Sequence, residues 1–283
     1  MSSAKIFQIE EFATYDGPGI RMTVFLKGCV LSCAWCHNPE GQKFESEIVR
    51  APSGCVGCGA CLAAAERESG KRVLTEWSVN VCPRGLVRLC GRDYEAEELV
   101  FEIEKNIAML NVTGGGVTFS GGEPLCHYDF LVECLSLLEG RMHRAVETCG
   151  YAPWEHMSCV AEKCELILYD LKHMDDEKHR HYTGVSNARI LDNYKRLCSD
   201  KRNIITRIPL IPTVNDTAEN IERTARFMVE NGQRRIELLP YNKLAGGKYK
   251  LVGREYLPEF DESRAPEIHE DIFEFYGIEV SVL

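Results

Sequence analysis

The feature that most constrains the fold of this chain is a regular alternation of short apolar segments with longer amphipathic ones. The amphipathic segments carry apolar residues at helical spacing, as at Leu99, Ile103 and Ile107. The expected strands cover 20–27, 117–120, 145–148, 166–170, 203–208, 235–239 and 278–282, and the expected helices cover 95–110, 130–138, 154–163, 189–199, 217–231 and 265–276. Such an alternation predicts right-handed crossovers and a parallel sheet.

About six β/α units can be counted, fewer than the eight of a closed barrel. The sequence therefore predicts an α/β fold, either an open barrel or a doubly wound sheet. In both, ligands bind at the carboxyl ends of the strands. We expect the fold to bring these strand-end residues to one rim: Cys29, Gly122, Glu123, Thr148, Asp170, Arg207 and Asn242.

Three cysteines stand close together directly after the first expected strand, in the run Cys-Val-Leu-Ser-Cys-Ala-Trp-Cys at 29–36, the cysteine loop. Three thiolates can hold three corners of a cubic iron–sulfur cluster, which leaves one iron open to a small molecule. Zinc is the alternative, but it prefers four ligands in two separated pairs. His37 adjoins Cys36 too closely to share a tetrahedron easily, so the spacing favours a reactive iron–sulfur cluster.

A second group of cysteines lies in residues 45–93, where the alternation breaks, and we interpret this stretch as an inserted module. The run Cys-Val-Gly-Cys-Gly-Ala-Cys has ferredoxin spacing, in which a fourth cysteine comes four positions later. That position holds Ala65, so we expect a single auxiliary [4Fe–4S] cluster completed by a distant cysteine. Its expected ligands are Cys55, Cys58, Cys61 and Cys82. Cys90 is the rival fourth ligand, less favoured because no proline follows it.

Composition narrows the function classes. The 283 residues carry a formal net charge of −10 without a dense basic run, which argues against nucleic-acid binding. No apolar stretch reaches the length of a transmembrane helix, and the start lacks the apolar core of a signal peptide. Fourteen cysteines suit a reducing, anaerobic cytoplasm, where the scattered ones would act as small buried hydrophobes. We expect a monomer.

The cysteine spacing, with Trp35 before the third cysteine, resembles the radical S-adenosylmethionine (SAM) superfamily. Further stretches are similar to the glycyl-radical-enzyme activating enzymes, the relatives of pyruvate formate-lyase activating enzyme. They are Tyr-Asp-Gly-Pro-Gly-Ile-Arg at 15–21, Gly-Gly-Gly-Val-Thr-Phe-Ser-Gly-Gly-Glu-Pro at 114–124, Tyr-Asp-Leu-Lys-His-Met-Asp-Asp at 169–176, and the segments 182–187 and 236–241. The resemblance implies a partial (β/α)6 TIM-like barrel over 1–44 and 94–283, with a ferredoxin-like iron–sulfur module inserted at 45–93.

The same resemblance implies an activity. An electron from a flavodoxin or ferredoxin would enter the [4Fe–4S] cluster of Cys29, Cys33 and Cys36, which would cleave SAM reductively. The resulting radical would remove a hydrogen from a backbone glycine of a partner glycyl radical enzyme, such as hydroxyproline dehydratase or another dehydratase or decarboxylase. One alternative is a radical SAM enzyme that acts on a free metabolite or a peptide. Another is a non-enzymatic iron–sulfur or zinc protein.

The resemblance also implies the SAM contacts, which are Trp35, His37, Gly121, Gly122, Glu123, Thr148, Asp170, Leu171, Lys172, Arg207 and Asn242. Asp170, Lys172 and Arg207 are expected to position SAM. The glycines would let the backbone approach the ligand, and Glu123 would accept a hydrogen bond from its ammonium group. Asn242 stands where relatives often have His, and it could still bond a ribose.

Arg207 and Thr148 carry further expectations. Arg207 lies in a largely apolar strand and is costly to bury unpaired, so we expect it to meet an anion, either the cofactor carboxylate or the substrate chain. Thr148 with Asp170 resembles a monovalent-cation site of some relatives. Glu147, however, stands where the family more often has Asp, which weakens the expectation of a cation.

Overall fold

The structure, a computed structural model, describes residues 2–51 and 53–283 and is built around one large sheet. The strands are β1 Ser3–Ala13, β2 Arg21–Leu26, β3 Glu47–Arg50, β4 Val87–Cys90, β5 Arg92–Glu95, β6 Gly116–Gly121, β7 His143–Thr148, β8 Leu166–Asp170, β9 Ile204–Leu210, β10 Arg235–Pro240 and β11 Glu279–Val282. The helices are α1 Ala60–Ser69, α2 Ala96–Glu104, α3 Ile107–Val112, α4 Tyr128–Leu137, α5 Trp154–Glu162, α6 Asp176–Thr183, α7 Ala188–Ser199, α8 Ala218–Glu230, α9 Ala245–Leu251 and α10 Glu270–Phe275.

The large sheet has nine strands in the order β11-β10-β9-β8-β7-β6-β2-β1-β5. Seven of them, from β2 to β11, are parallel and follow one another in chain order, joined by six crossovers. A doubly wound sheet would reverse its order at a switch point. The absence of a reversal among these described strands selects the open-barrel alternative, with β5 and β11 at the edges.

The two faces of the sheet bury different side chains. The outer face packs against the helices in the main core, which includes Val146, Ile167 and Phe130. Alternate residues of the same strands point the other way, and Ala145 and Leu168 form a small apolar cluster on the inner face. The inner face becomes polar towards the carboxyl ends of the strands, where the expected site lies.

Several helices differ from their sequence expectations. The helix expected over 95–110 is two helices, α2 and α3, with a break at Asn106. The last helix begins at Glu270 rather than 265, because His269 has a left-handed backbone (φ 53°), which an α-helix cannot contain. The described chain also contains β1, α6 and α9, which the apolar pattern does not predict. α6 has no strong apolar periodicity.

The segment that carries the second cysteine group contains its own small sheet. β3 and β4 pair only with each other, antiparallel, and α1 lies between them in the chain. Ala65, at the position where a further cysteine would complete the ferredoxin run, is fully buried on α1. β5, which begins at Arg92, already pairs with β1 in the large sheet.

Within the described residues, no helix combines the length and apolar character required to cross a membrane.

Candidate functional site

A cavity of about 320 Å³ opens at the carboxyl ends of the parallel strands. Its lining includes three thiols and nine of the eleven predicted SAM contacts: Cys29, Cys33, Cys36, Trp35, His37, Gly121, Gly122, Glu123, Thr148, Asp170, Lys172 and Asn242. The two other predicted contacts are Leu171, which is buried, and Arg207, which contacts the lining residue Glu147. Side chains that are up to 213 positions apart in the sequence (Cys29 to Asn242) therefore lie together at one rim.

The cysteine loop has no helix or strand and is held in place by the end of α6. The backbone amides of Ser32 and Ala34 donate to the carbonyl groups of Thr183 and Tyr182, at 2.8 and 2.9 Å. Gly184 caps α6 with φ of +82°, and a Cβ there would lie 2.6 Å from the Ser32 hydroxyl oxygen. The motif at 182–187 is therefore a clamp on the cysteine loop.

Burial raises the pKa of all three thiols in the cysteine loop, that of Cys36 to about 12. Such thiols become thiolates only beside a positive charge, which the irons of a cluster supply. Across the described ranges, no three His, Cys, Asp or Glu side chains converge as the ligands of a single metal ion do. A cubane offers a separate iron to each thiolate, so three thiols that line one cavity can hold three of its irons.

Gly121 and Gly122 lie where two backbone segments approach so closely that no Cβ atom would fit. A Cβ on Gly121 would lie 2.3 Å from backbone atoms of Leu26, and one on Gly122 would lie 2.2 Å from the carbonyl oxygen of Gly28. The glycines thus let the end of β6 pack against the chain that leads into the cysteine loop. This contact explains them without a ligand, although both also line the cavity.

The carboxylate of Glu123 accepts four hydrogen bonds from the chain itself. Its donors are the Thr148 hydroxyl at 2.5 Å, the Cys149 amide and thiol at 3.0 and 2.9 Å, and the Leu125 amide at 3.1 Å. These donors fill the acceptor capacity of a carboxylate. In this arrangement Glu123 braces the strand-end loops, and its contact with the SAM ammonium stays a prediction.

Asp170 and Lys172 form an ion pair on the cavity wall, with 3.0 Å between Lys172 Nζ and Asp170 Oδ2. Both side chains are largely buried, so this is not a surface ion pair. Burial raises the pKa of Asp170, although Lys172 opposes this. Burial lowers the pKa of Lys172, but the negative charge of Asp170 outweighs it and leaves the pKa well above its usual value.

Arg207 is fully buried and does meet anions, but they belong to the chain. Its guanidinium donates to Glu147 Oε1 at 2.7 Å, to Glu237 Oε2 at 2.7 Å and to the Tyr15 carbonyl. Burial lowers the pKa of Arg207, yet the two glutamates raise it above its usual value. Glu147 also accepts from the Ser120 hydroxyl at 2.5 Å. Arg207 thus links the cavity wall to the loop before β2. The sequence did not predict these partners.

Comparisons with known proteins agree with this geometry. The Radical SAM superfamily model matches residues 23–228. The isethionate sulfite-lyase activating enzyme of Desulfovibrio desulfuricans is 37% identical over 88% of this chain and 86% of its own. The (2S)-3-sulfopropanediol dehydratase activating enzyme of Klebsiella oxytoca is 38% identical over 89% and 86%. The chain belongs to the glycyl-radical-enzyme activating enzymes of the radical SAM superfamily.

A solved structure supports the fold of this activating enzyme. A radical SAM methyltransferase from Sphaerobacter thermophilus aligns with a TM-score of 0.55 over 99% of this chain and 77% of that one. At 15% identity the likeness concerns the fold alone. It agrees with the open barrel read from the strand order.

The activating enzyme has a second thiol-lined cavity, of about 110 Å³, in the segment between β3 and β4. The thiols that line it are Cys55, Cys58, Cys61 and Cys82. Arg50 and Arg84 also line it. Cys90 lies elsewhere, fully buried in an apolar cluster with Phe7 and Val49. The geometry therefore favours Cys82 over Cys90 as the fourth thiol of this group.

Sequence reasoning missed two features of the main site. Cys149 was counted among the scattered cysteines, but it lines the cavity and donates its thiol hydrogen to Glu123. Its place directly after a strand-end threonine was the available signal. Tyr241 also lines the cavity, and its hydroxyl lies 2.9 Å from that of Tyr256, a contact that only the folded chain brings about.

Proposed function

We propose that the strand-end cavity binds SAM against a [4Fe–4S] cluster held by Cys29, Cys33 and Cys36, and that this site serves the activation of a partner glycyl radical enzyme. The observation that carries the proposal is the convergence of three thiols and the predicted SAM contacts on one cavity. When bound, the cluster supplies the electron that splits SAM reductively, which leads to removal of a hydrogen from a glycine of the partner.

The residues of the chain then have separable tasks. The three thiolates hold the cluster, and the clamp of 182–187 fixes the loop that carries them. Lys172 presents a buried positive charge to the carboxylate of SAM, while Asp170 keeps Lys172 in place. Trp35 packs against Tyr182, with 5.8 Å between ring centroids, and helps to keep water from the cavity.

The second cavity is proposed to hold one auxiliary [4Fe–4S] cluster on Cys55, Cys58, Cys61 and Cys82, within a ferredoxin-like module at 45–93. Support comes from the ferredoxin spacing and from the four thiols that line one cavity. Anaerobic reconstitution followed by iron analysis tests this: about eight irons per chain agree with one auxiliary cluster, while about four or about twelve contradict it.

The partner is a glycyl radical enzyme, and its identity is open. The two relatives named above differ by one percentage point in identity and take their names from different enzymes, a sulfite-lyase and a dehydratase. Hydroxyproline dehydratase remains our candidate partner, with a flavodoxin or ferredoxin as electron donor. We further propose that the protein is a cytoplasmic monomer. Size-exclusion chromatography with light scattering measures its oligomeric state.

Activation itself is tested by mixing the reduced, reconstituted protein with SAM and the candidate partner under anoxic conditions. A glycyl radical signal in the electron paramagnetic resonance spectrum is expected with the correct partner. Cys33→Ala should abolish it, and Cys159→Ala, which alters a thiol outside both cavities, should not. A free metabolite consumed with SAM, and no glycyl radical on any candidate partner, would overturn the assignment.

A further inference from the structure

The second cavity differs from the strand-end cavity in the charge of its walls. Among the described residues, its lining includes Arg50 and Arg84 and no carboxylate. The lining of the strand-end cavity includes three carboxylates and one ammonium group, those of Glu123, Glu147, Asp170 and Lys172. The nearest side chains therefore attract an acidic protein to the second cavity and repel it from the strand-end cavity.

The segment around the second cavity carries the same charge on its surface. Residues 50–88 contain six lysines and arginines but only three glutamates, which gives a formal charge of +3 in a chain whose net charge is −10. Five of the six basic residues are exposed. The segment thus presents a basic surface on an acidic protein, and complementary charge favours an acidic partner there.

Exposed apolar side chains accompany these charges. Val56, which lines the second cavity, is 60% exposed, and Trp77 is 66% exposed. The turn that carries Trp77 is fixed to the second cysteine group, because the hydroxyl of the neighbouring Ser78 donates to the carbonyl of Cys61 at 2.9 Å. Aromatic residues and arginines are enriched in protein–protein interfaces, so this surface has the composition of a docking site.

Two thiols of the second cavity are also open to an approaching protein. Cys55 and Cys58 are exposed, whereas Cys29, Cys33 and Cys36 are half-buried. An electron-transfer protein can therefore come closer to the thiols of the second group than to those of the cysteine loop. A cluster that served only to stabilise the fold would not require this exposure.

We propose that Arg50, Val56, Trp77 and Arg84, the basic rim, form the docking surface of the electron donor, an acidic electron-transfer protein. One electron leaves this donor and is accepted at the auxiliary cluster, and no bond forms or breaks. The proposal rests on the auxiliary cluster proposed above and deepens it by naming the surface at which the flavodoxin or ferredoxin binds. Charges at the edge of an interface act mainly on the association rate and its salt dependence, which are the quantities to measure.

Arg84→Glu reverses one charge of the basic rim, and Arg235→Glu is its matched control. Arg235 is an exposed arginine at the start of β10 that lines neither cavity and donates to the Asn203 side-chain oxygen at 3.0 Å. Both substitutions change the net charge equally, so a difference between them reports where the charge lies. Arg84→Gln is a milder variant that keeps a donor for the Gly54 carbonyl, which Arg84 meets at 3.4 Å. It replaces Arg84→Glu if the latter loses iron.

The measurement is the rate at which a reduced acidic flavodoxin reduces the reconstituted protein, followed by stopped-flow absorbance over a range of ionic strength. The wild-type rate should fall as salt is added. At low salt, Arg84→Glu should be about tenfold slower than the wild type and Arg84→Gln slower by a smaller factor, whereas Arg235→Glu should change the rate less than about twofold. Reduced methyl viologen, a small cation, should reduce Arg84→Glu at least as fast as the wild type.

Equal flavodoxin rates for the Arg84 variants and Arg235→Glu would overturn the inference and leave the proposed function intact, as would a wild-type rate that does not fall with salt. Equal slowing of Arg84→Glu with flavodoxin and with methyl viologen would also overturn it, because the arginine would then act on the cluster rather than on docking. A wild type that holds only about four irons per chain would instead contradict the proposed auxiliary cluster, and the inference with it.

Discussion

The ammonium of Lys27 lies 2.9 Å from the carboxylate of Glu47, and this ion pair joins the two cysteine-bearing regions. Lys27 stands between β2 and the cysteine loop, whereas Glu47 begins β3, which leads to the second cysteine group. The Lys27 side chain is fully buried and also donates to the Glu40 carbonyl at 2.7 Å. A buried charge that loses its partner is strongly destabilising, so the pair fixes one region against the other.

Lys27→Met should therefore lower the free energy of unfolding by about 3 kcal/mol, the low end for breaking a buried pair, because Glu47 keeps a second partner in Lys43. Urea unfolding measures the change. Lys5→Met, which removes a more exposed pair with Asp93, should cost less than about 1 kcal/mol. Equal losses of unfolding free energy in the two variants would show that the Lys27 pair stabilises the protein no more than the exposed pair does.

Gly184→Ala should loosen the cysteine loop. The new methyl group would lie 2.6 Å from the Ser32 hydroxyl oxygen, at a residue with a left-handed backbone. The left-handed backbone alone costs an alanine roughly 1–2 kcal/mol, and we expect a loss of stability above this value. We also expect a lower iron content. Gly232→Ala is the matched control, since Gly232 has φ of +75° but open space around it, and it should keep its iron. Unchanged iron in Gly184→Ala would contradict the clamp.

Cys82→Ala and Cys90→Ala should have different effects on iron content. If Cys82 is the fourth auxiliary ligand, its loss should lower the reconstituted iron from about eight to about four per chain. Cys90→Ala should keep the iron and lose only packing in the cluster with Phe7 and Val49, seen as a lower melting temperature. The reverse pattern would make Cys90 the ligand.

Asp176 should contribute to the acid stability of the clamp. Hydrogen bonds from the Ser186 hydroxyl and the Arg180 guanidinium lower the pKa of Asp176 from 3.8 to about 2. A carboxyl whose pKa is lower in the folded state stabilises it above the unfolded pKa, and this contribution disappears as the pH falls from 3.8 towards 2. Wild-type stability should fall more steeply over this range than that of Asp176→Asn, and parallel curves would refute the assignment.

Much of the site was predictable because its signals are local. The thiols of the cysteine loop, the Gly-Gly-Glu turn and the Asp-Leu-Lys stretch each follow a strand, and parallel strands bring their carboxyl ends to one rim. The strand order itself needed the structure, since an open barrel and a doubly wound sheet share the same alternation. Helix bounds failed where capping decides them, as at Asn106 and His269.

The partners of charged residues were the least predictable part. Arg207 contacts Glu147, 60 positions away in the sequence, and the Tyr15 carbonyl, 192 positions away, and only the folded chain brings these groups together. Glu123 lines the cavity and accepts from four donors of the chain, none of which the sequence indicated, and its contact with the ligand stays a prediction. A sequence indicates that such buried charges need partners. Only the fold shows whether the partner is a group of the protein or of the cofactor.

The most direct test of the central claim is the amount of 5′-deoxyadenosine and methionine released when the reduced, reconstituted protein meets SAM. We predict that the wild type releases both in equal amounts, that Cys33→Ala releases neither, and that Cys159→Ala behaves as the wild type. Release by Cys33→Ala at the wild-type level, or none from an iron-loaded wild type, would contradict the assignment of the strand-end cavity as the SAM site.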